Sequence, residues 1–359
     1  MRILQVITPQ RMAGAERSML SLCEHLARRG HELLVIAPRG SELLGAAKGL
    51  GLAAEGHPIR GKLNLAAAAI LAQRARRFRA DVIHTHLSTA SLWGSYGGLL
   101  AGIPCVAHVR ALNTATCFLA ARRLIAVSQA VKAHLVAQGV PPDRIDVVYT
   151  GIDPARYGRP WAREEARARL GLPTEAILTL VAAHLTPRKG HAVLLDAIAR
   201  TGTLQPPLVA LFVGDGPLRQ ALAEQAERLG IADRVIFAGY QADVLPYYAA
   251  SDLAALPAVA GEGLPRTLLE AGFLGLPVVA SAISGTPEIV VEGRTGFLVP
   301  PGDVAALADR LRRLATDASL RAAMGAAAVE WVRRTFTVER MIAGTLASYR
   351  AAGASAEPG

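Results

Sequence analysis

The stretch EGLPRTLLE, residues 262–270, organises the rest of the sequence around two glutamates that lie eight positions apart. Gly263 frees the backbone, Pro265 suits the first position of a helix, and leucines then recur at helical spacing. Glu262 is therefore predicted in a loop, and Glu270 in the second turn of the helix that follows. Helix N-termini attract anions, so the pattern indicates a ligand with a central phosphate and hydroxyls at both ends, such as a sugar nucleotide. Two solvated glutamates beside an amphipathic helix are the alternative interpretation.

The composition is that of a globular protein large enough for two domains. The chain has 359 residues, of which 52% are hydrophobic and only 5% aromatic. The formal charge of +10 indicates anionic partners: nucleic acid, phosphorylated small molecules or an acidic membrane surface. The low aromatic content argues against modules that stack on bases, so no nucleic-acid partner is expected. The densest basic runs, 74–79 and 122–123, are either solvated helix faces or a membrane-facing patch.

Three scattered cysteines, Cys23, Cys105 and Cys117, indicate reduced thiols and a cytoplasmic protein. The first residues lead directly into a strand-like run, which is too early for a signal peptide. The apolar run 66–72 is too short to cross a bilayer. We therefore expect a cytoplasmic protein, either free in solution or peripheral at the inner face of the membrane.

Short apolar runs alternate with helical patterns along the chain, which predicts the α/β class with parallel sheets covered on both faces. A stretch near 150–165, rich in Gly, Pro and Arg, separates two doubly wound halves. Ligands of such sheets bind outside the carboxyl ends of the strands, so a cleft between the halves is the expected site. The predicted strands are 3–7, 33–37, 82–84, 105–108, 124–127, 146–149, 177–182, 209–213, 235–237, 253–256 and 278–280. The predicted helices are 15–29, 64–79, 88–101, 129–138, 189–200, 216–229, 264–274 and 304–315, with the last helices between 319 and 349.

The two glutamates are followed by Gly-Thr-Pro-Glu at 285–288 and Thr-Gly-Phe-Leu-Val at 295–299. With these motifs, the stretch from 237 to 299 resembles the C-terminal half of the family 4 retaining glycosyltransferases of the GT-B fold. The resemblance implies two Rossmann-like domains that face a central cleft. Residues 1–155 would form the acceptor-side domain, with a C-terminal helix (about 337–350) crossing back onto it. Residues 156–336 would bind a nucleotide-sugar donor.

The resemblance also assigns roles around the donor. Lys189 would face the diphosphate, Glu262 would contact the donor sugar, and Glu270 would hold the ribose hydroxyls. His184 stands where the family has an arginine; a histidine is only partly charged at neutral pH, so Arg188 is expected to supply the missing charge. A second departure is Pro265, which replaces a glycine and removes one N–H donor.

Further donor-binding positions are glycine-containing turns and their neighbours, where a backbone can approach a ligand closely. The first βα loop ends at Gly14, and a Gly-Asp-Gly turn follows a strand of the second half. By resemblance, the next strand end reads the base. The remaining donor-binding candidates are Gly14, Gly214, Gly216, Tyr240, Gly263 and Leu264.

Three histidines in the first half are candidate functional groups. His108 ends a strand where the cleft should open, and by resemblance it would position the acceptor or the sugar as a catalytic residue. His84 and His86 share one face of a strand, which is compatible with a metal pair, but no third ligand is apparent from the sequence, and buried or loop-held histidines are the alternative. No D-x-D pair occurs at a strand end, so neither a metal nor another cofactor is expected.

The sequence thus predicts a retaining, metal-independent glycosyltransferase. It would move a sugar from a nucleotide-diphosphate donor to a hydroxyl acceptor, either a glycan or a lipid-linked molecule, in bacterial cell-envelope polysaccharide or glycolipid synthesis. Two alternatives stay open: a non-catalytic sugar-nucleotide-binding partner, and a GT-B sugar-nucleotide epimerase or phosphorylase.

Overall fold

The computed structural model describes residues 1–12, 14–59, 61–158 and 161–354. The chain divides into two compact units. Unit 1 is Met1–Gly151 together with the C-terminal segment that starts at Thr337, and unit 2 is the continuous segment Ile152–Phe336. Residues 159 and 160, within the predicted linker, lie outside the described residues.

Unit 1 contains a seven-stranded parallel sheet with the strand order β3-β2-β1-β4-β5-β6-β7. Its central strand β1 pairs with β2 on one side and β4 on the other, so that Ile3 lies opposite Leu33 and Val82. The strands are β1 (Arg2–Ile7), β2 (Glu32–Pro38), β3 (Ala53–His57), β4 (Val82–His86), β5 (Cys105–Val109), β6 (Arg123–Ala126) and β7 (Ile145–Val147).

Unit 2 contains a six-stranded parallel sheet with the order β10-β9-β8-β11-β12-β13. Here β8 is the central strand, paired with β9 and β11. The predicted α/β fold with two parallel, doubly wound sheets is confirmed. The strands are β8 (Ile177–Ala182), β9 (Leu208–Val213), β10 (Val235–Gly239), β11 (Leu253–Leu256), β12 (Val278–Ser281) and β13 (Gly296–Val299).

Helices connect the strands and cover the sheets. They are α1 (Gly14–Arg28), α2 (Glu42–Gly49), α3 (Ala66–Phe78), α4 (Ser88–Ala101), α5 (Gln129–Ala137), α6 (Arg163–Leu170), α7 (His191–Arg200), α8 (Arg219–Arg228), α9 (Leu245–Ala250), α10 (Arg266–Phe273), α11 (Thr286–Ile289), α12 (Val304–Thr316), α13 (Ala318–Thr335) and α14 (Val338–Ala351). Short 3-10 helices cover Ala115–Cys117, Pro142–Arg144, Pro154–Arg156, Pro187–Lys189 and Ala232–Arg234.

The buried strands explain why both faces of each sheet are covered. In β1 the side chains of Ile3 and Ile7 enter one core and those of Leu4 and Val6 enter another, because successive side chains point to opposite faces. The first core is shared with α1 and α14, and the second with α3 and α4. Helix α14 therefore packs on unit 1, although it follows unit 2 in the sequence.

Several segments differ from the sequence-based prediction, which also omitted strand β13 and helices α2, α9 and α11. The edge strand β3, Ala53–His57, was missed because its sequence AAEGH has no β-branched or aromatic residue. Helix α6, Arg163–Leu170, begins inside the predicted linker and was missed because its sequence REEARARL is mostly charged. None of the helices in the described residues is long and apolar enough to cross a membrane.

Candidate functional site

The predicted donor-side residues of unit 2 lie around the point where the strand order of its sheet reverses. Lys189 follows β8 and Glu262 follows β11, and these two strands are neighbours. Ligands of doubly wound sheets bind outside the carboxyl ends of the strands at this reversal. The fold thus brings together two residues that are far apart in the sequence, at the position where a ligand is expected.

Lys189 and Glu262 form a largely buried ion pair. Nζ of Lys189 lies 2.8 Å from Oε1 of Glu262, and their side chains are 15% and 8% exposed. The distance between the two atoms is that of an ion pair, but the angles at these atoms do not suit a hydrogen bond. Oε1 of Glu262 has no hydrogen-bond partner in the described residues. Nη1 of Arg188 lies 3.9 Å from the same oxygen and donates to the carbonyl of Gly261 at 3.0 Å. Two cations facing one carboxylate leave a net positive charge for an anionic ligand.

Gly190 holds Lys189 at this position. Its φ of +73° favours glycine, and a Cβ there would lie 2.6 Å from the carbonyl carbon of Pro257, closer than real Cβ atoms approach. The carbonyl of Arg188, the residue before Lys189, accepts a hydrogen bond from the amide of Val259 at 2.9 Å. The loop after β8 is therefore packed directly on the segment after β11, and this packing sets the distance between Lys189 and Glu262.

The start of α10 offers backbone donors beside this ion pair. Helix α10 begins at Arg266 with Pro265 as its N-cap, so Glu270 lies in the second turn, as predicted. In the parts of the chain that the structure describes, no hydrogen bond engages the amides of Gly263, Leu264 or Arg266. Free amides at a helix N-terminus favour an anion. The carbonyl of Glu262 itself is fixed by the amide of Gly285, at 3.2 Å.

The Gly-Asp-Gly turn after β9 packs against the loop after β8. A Cβ at Gly216 would lie 2.5 Å from the carbonyl oxygen of Leu185, and one at Gly214 would lie 2.9 Å from the carbonyl carbon of Ala183. The amide of Leu185 donates to the carbonyl of Asp215 at 3.0 Å. Both glycines are thus required by contact between two loops. A contact of these glycines with a donor stays a prediction.

The other donor-side candidates differ in exposure. His184 is exposed in the loop after β8, and Tyr240 is exposed directly after β10. Gly14 is the first residue of α1 in unit 1, and open space surrounds the position that a Cβ would take. Near Lys189, His191 is buried, and burial lowers its pKa to about 4. His191 is therefore neutral at physiological pH and adds no charge to the site.

Glu270 lies at the centre of a polar cluster within unit 2. Its Oε1 lies 2.8 Å from Nε of Arg266 and accepts from the hydroxyl of Tyr157 at 3.3 Å, while Oε2 accepts from the hydroxyl of Tyr248 at 3.2 Å. Burial raises the pKa of Tyr248 well above its usual value, so this tyrosine keeps its proton and donates. A carboxylate accepts about four hydrogen bonds, so about one acceptor position remains for a further hydroxyl.

In unit 1, the structure brings His108 to the pair His84 and His86. Strands β4 and β5 are neighbours in register, with His86 opposite His108. All three side chains are buried, and their ring nitrogens include a set within 4.8 Å of one another. The third imidazole was missing from the sequence-based interpretation because only strand order and register place it there.

A chain of directed hydrogen bonds fixes the protonation of these imidazoles. Arg110 has only N–H donors and lies 3.2 Å from Nδ1 of His86, so the proton of His86 is on Nε2, which donates to Gln5 at 2.8 Å. Gln5 donates to the hydroxyl of Tyr349 at 3.4 Å, and that hydroxyl donates to Nδ1 of His84 at 2.7 Å.

The proton of His108 also lies on Nε2. The guanidinium of Arg110 lies 3.4 Å from Nδ1 of His108, which therefore accepts. In the described residues, Nε2 of His84 and Nε2 of His108 are both buried without a hydrogen-bond partner. Burial, and next the charge of Arg110, lower the pKa of His108 well below its usual value. His108 is thus a neutral N–H donor at this strand end.

The geometry argues against a cation among the three imidazoles. Zinc and similar ions bind three histidines in many proteins, and the imidazoles must be neutral, as they are here. However, the guanidinium of Arg110 lies against Nδ1 of both His86 and His108 and also donates to Ser18 at 3.0 Å. A fixed positive charge beside two of the ligands disfavours a second one. We interpret the cluster as a hydrogen-bond network; sequence reasoning had singled out neither Arg110 nor Gln5.

Two family models match the chain. The model described as Glycosyltransferase Family 4 matches residues 12–156, and the model described as Glycosyl transferases group 1 matches residues 162–331. One curated relative is the D-inositol 3-phosphate glycosyltransferase of Nocardioides sp., 33% identical over 314 residues, which are 76% of this chain and 68% of the relative.

A second curated relative is the GDP-mannose-dependent alpha-(1-6)-phosphatidylinositol monomannoside mannosyltransferase of Mycolicibacterium smegmatis. It is 34% identical over 57% of this chain and 56% of its own length. The chain spans about half the length of the first curated relatives that it matches, between 47% and 59%.

Solved structures match over almost the entire chain. Anabaena Alr3699/HepE in complex with UDP has a TM-score of 0.86 and 26% identity, over 98% of this chain and all of that one. WaaG, described as a glycosyltransferase involved in lipopolysaccharide biosynthesis, has a TM-score of 0.75 and 20% identity, over 97% and 98% of the two chains. At its lower identity, WaaG supports the fold alone.

Proposed function

Because the chain belongs to family 4 of the glycosyltransferases, we propose that it is a retaining, metal-independent glycosyltransferase. It moves a sugar from a nucleotide-diphosphate donor to a hydroxyl acceptor. The observation that carries this proposal is the group formed by Lys189, Arg188 and Glu262 beside the free amides at the start of α10. This group lies where the strand order of the unit 2 sheet reverses.

The chemistry requires positive charge at the leaving group. When the bond between the sugar and the diphosphate breaks, negative charge builds up on the leaving phosphate. Lys189, Arg188 and the amides of Gly263 and Leu264 stabilise that charge, and their positions are fixed before the ligand binds. A diphosphate that engages Lys189 releases the carboxylate of Glu262, which then orients the sugar and interacts with the positive charge that develops on it.

Metal independence is proposed on the same grounds. In many transferases, a divalent cation neutralises the diphosphate. Here two cationic side chains and the helix N-terminus supply positive charge at one point, so no metal ion or other cofactor is required. Arg188 supplies positive charge beside Glu262, and we propose that it replaces the arginine that the family carries at the position of His184. Retention of configuration is proposed from the family alone.

The remaining donor contacts are proposed from their positions at the strand ends. Glu270 keeps room for a ribose hydroxyl, and Tyr240 is exposed where the base would lie. The structural relative HepE is described in complexes with UDP and with UDP-glucose, and the mannosyltransferase relative is named as dependent on GDP-mannose. Both uridine and guanosine donors are therefore candidates. The proposed donor-binding residues are Gly14, His184, Arg188, Gly214, Gly216, Tyr240, Gly263, Leu264 and Glu270.

The acceptor is proposed to be a hydroxyl group of a glycan or of a lipid-linked molecule in bacterial cell-envelope synthesis. The names of the relatives support this class: one acts on D-inositol 3-phosphate and another on a phosphatidylinositol monomannoside. His108 presents a neutral Nε2–H that donates to a sugar or acceptor oxygen. A lipid acceptor requires work at a membrane, so we propose a cytoplasmic enzyme that is peripheral at an anionic membrane surface.

Thermal unfolding with UDP, GDP and ADP, each in the presence of EDTA, tests the donor site. A nucleotide at 100 times its dissociation constant should add about 2.7 kcal/mol of stability. Stabilisation by one nucleotide in the wild type, and its loss in Lys189→Ala, is the expected result. Stabilisation that appears only when EDTA is replaced by a divalent cation would contradict metal independence. If no nucleotide stabilises the protein, the assignment of this site to a nucleotide-sugar donor is wrong.

A transfer assay then tests the reaction. With the nucleotide sugar that binds and a hydroxyl acceptor, NMR of the anomeric proton should show the donor's configuration in the product. The inverted configuration would contradict the retaining assignment. Incubation of the donor without an acceptor separates the alternatives, because an epimerase converts the sugar nucleotide by itself, whereas a transferase leaves it unchanged apart from slow hydrolysis.

A further inference from the structure

The two carboxylate oxygens of Glu270 differ in how much of their hydrogen-bonding capacity unit 2 already uses. Oε1 accepts from Nε of Arg266 at 2.8 Å and from the hydroxyl of Tyr157 at 3.3 Å. A carboxylate oxygen accepts about two hydrogen bonds. Oε1 is therefore occupied by groups of the protein before a ligand binds.

The second oxygen, Oε2, keeps room for a ligand. The hydroxyl of Tyr248 lies 3.2 Å from Oε2 and 3.1 Å from the carbonyl oxygen of Thr267, and no other group in the described residues bonds Oε2. A tyrosine hydroxyl has one proton, which it shares between these two acceptors. Oε2 thus has one acceptor position open, and Tyr248 can vacate the other by donating to Thr267.

Three features show that Arg266 is not placed for the stability of α10. It is the first residue of the helix, where the helix dipole disfavours a positive charge. In its pair with Glu270 the cation comes first and the carboxylate four residues later, which is the weaker order. Nη1 of Arg266 is buried without a hydrogen-bond partner in the described part of the chain, which costs stability. An arginine in so unfavourable a position indicates a role in binding.

Tyr157 completes the arrangement from outside α10. Its ring lies 4.8 Å from that of Phe273, and its hydroxyl accepts from Nη2 of Arg266 at 3.5 Å. Burial, and next the charge of Glu270, raise the pKa of Tyr157 above its usual value, so this hydroxyl keeps its proton. The proton points to Oε1 of Glu270, because a guanidinium can only donate. We call Arg266 and Tyr157 together the Glu270 clamp.

The Glu270 clamp limits how a vicinal diol can bind. A carboxylate with both oxygens available accepts one hydroxyl of the diol on each oxygen. Here Oε1 is occupied, so the two hydroxyls of a ribose cannot both bind in this way. Only the hydroxyl that meets Oε2 forms a hydrogen bond with the charged group, and such bonds are about twice as strong as those between neutral groups.

We propose that Arg266 and Tyr157 are positioning residues that make Glu270 bind a single hydroxyl of the donor ribose, through Oε2. The inference rests on the proposed function, because it takes the ribose of a nucleotide diphosphate as the ligand of Glu270. It adds a specificity that a glutamate alone does not provide: the site distinguishes the two ribose hydroxyls from each other.

Isothermal titration calorimetry with deoxynucleotides tests the proposal. UDP, GDP and ADP are each compared with their 2′-deoxy and 3′-deoxy forms on the full chain. For a nucleotide that binds, one deoxy form should bind about 10- to 100-fold more weakly, as expected when a hydrogen bond to a charged group is lost. The other deoxy form should bind within about twofold of the parent nucleotide, because its missing hydroxyl has no charged partner.

Variants of the Glu270 clamp should reduce the difference between the two hydroxyls. Arg266→Met removes a donor from Oε1, so the second hydroxyl gains an acceptor. The deoxy form that the wild type tolerates should then bind this variant about fivefold or more weakly than the parent nucleotide does. Tyr157→Phe keeps the ring beside Phe273 and should give a smaller change in the same direction. Melting curves without nucleotide show whether each variant is folded.

Arg333→Met and Tyr247→Phe are the matched controls. The guanidinium of Arg333 lies over the ring of Phe273 at 4.7 Å and forms no bond with Glu270. The hydroxyl of Tyr247 makes no hydrogen bond within the described residues. Each control removes the same chemical group as one of the clamp variants, from a neighbouring position. Both controls should distinguish the deoxy forms as strongly as the wild type does.

The outcomes separate this proposal from the proposed function. Equal losses for the two deoxy forms in the wild type would overturn the proposal, because both hydroxyls would then bind the carboxylate. No loss for either form would overturn it too, because Glu270 would not contact the ribose. An unchanged preference in both clamp variants would show that Arg266 and Tyr157 do not set it. If none of the three parent nucleotides binds, the donor site fails, and this proposal fails with it.

Discussion

The substitution Gly190→Ala should separate the two charged residues at the centre of the proposed donor site. The new Cβ would lie 2.6 Å from the carbonyl carbon of Pro257, whereas ordinary contacts of a Cβ begin at 3.4 Å. The carbonyl oxygen of Pro257 lies closer still to the new Cβ, so the loop after β8 must move by more than this difference. The left-handed backbone costs about 1–2 kcal/mol with alanine and the overpacking about 1–3 kcal/mol, so we expect about 2–5 kcal/mol of lost stability.

Gly171→Ala is the matched control for this substitution. Gly171 also lies in unit 2, with a φ of +64°, but no atom lies within 4 Å of the position of its Cβ. The control isolates the cost of the left-handed backbone, about 1–2 kcal/mol. In a unit of this size, 1 kcal/mol shifts the melting temperature by about 2–4 °C. We expect melting temperatures lowered by about 2–8 °C for Gly171→Ala and by about 4–20 °C for Gly190→Ala.

Nucleotide binding provides the second readout. Movement of the loop displaces Lys189 from Glu262, so the stabilisation by nucleotide should weaken in Gly190→Ala and persist in Gly171→Ala. Differential scanning fluorimetry measures both effects in one experiment. If the two variants melt together and bind nucleotide equally, the contact with Pro257 does not position Lys189, and the reasoning is refuted.

Three further substitutions or conditions test other parts of the structure. Lys189→Ala should lower the rate of sugar transfer by about 10²-fold or more in a steady-state assay, because a buried charge at the leaving group is lost; turnover near that of the wild type would remove Lys189 from the mechanism. Asp252→Ala should lower the free energy of unfolding in urea by about 3–5 kcal/mol, because the buried guanidinium of Arg167, 2.6 Å from Asp252, loses its carboxylate partner; a loss below about 1 kcal/mol would show that the backbone carbonyls to which Arg167 also donates are sufficient to stabilise its charge. Acid should destabilise the fold through His84, because burial lowers the pKa of this histidine to about 3. Below about pH 6.5 the unfolded chain takes up a proton at His84 and the folded chain does not. The free energy of unfolding therefore falls by about 1.4 kcal/mol per pH unit for this group. His84→Gln should therefore lose less stability than the wild type between about pH 7.5 and 5.5, and equal losses would show that His84 is protonated in the folded state.

The sequence predicted most of the fold because its central strands are buried on both faces. Runs such as Ile3–Ile7 and Ile177–Ala182 have few polar residues, and the helices between them repeat apolar residues at helical spacing. Prediction failed where packing leaves a weaker signal. The edge strand β3 pairs with one neighbour only, and the charged helix α6 carries few of the apolar residues on which periodicity depends.

The site was predictable in its residue types and less so in its contacts. The motif and the resemblance singled out Lys189 and Glu262, and the structure places them in one ion pair. The partners of Glu270 were not predicted, because tyrosines and an arginine reach it from three separate segments. The same limit applies to His108, whose neighbours depend on strand order and register, which sequence periodicity does not specify.

Helix α14 affects the order in which the two units form during synthesis. Tyr349 on α14 belongs to the same core as Ile3 on β1, so β1 packs with a helix that is synthesised only after all of unit 2. Unit 2 is continuous and is complete once Phe336 has emerged. Domains usually fold in order from the N-terminus during translation, but here we expect the opposite order. Chains arrested after Phe336 has emerged should resist protease in unit 2 and be cut in unit 1, whose sheet still lacks the cover of its final helix.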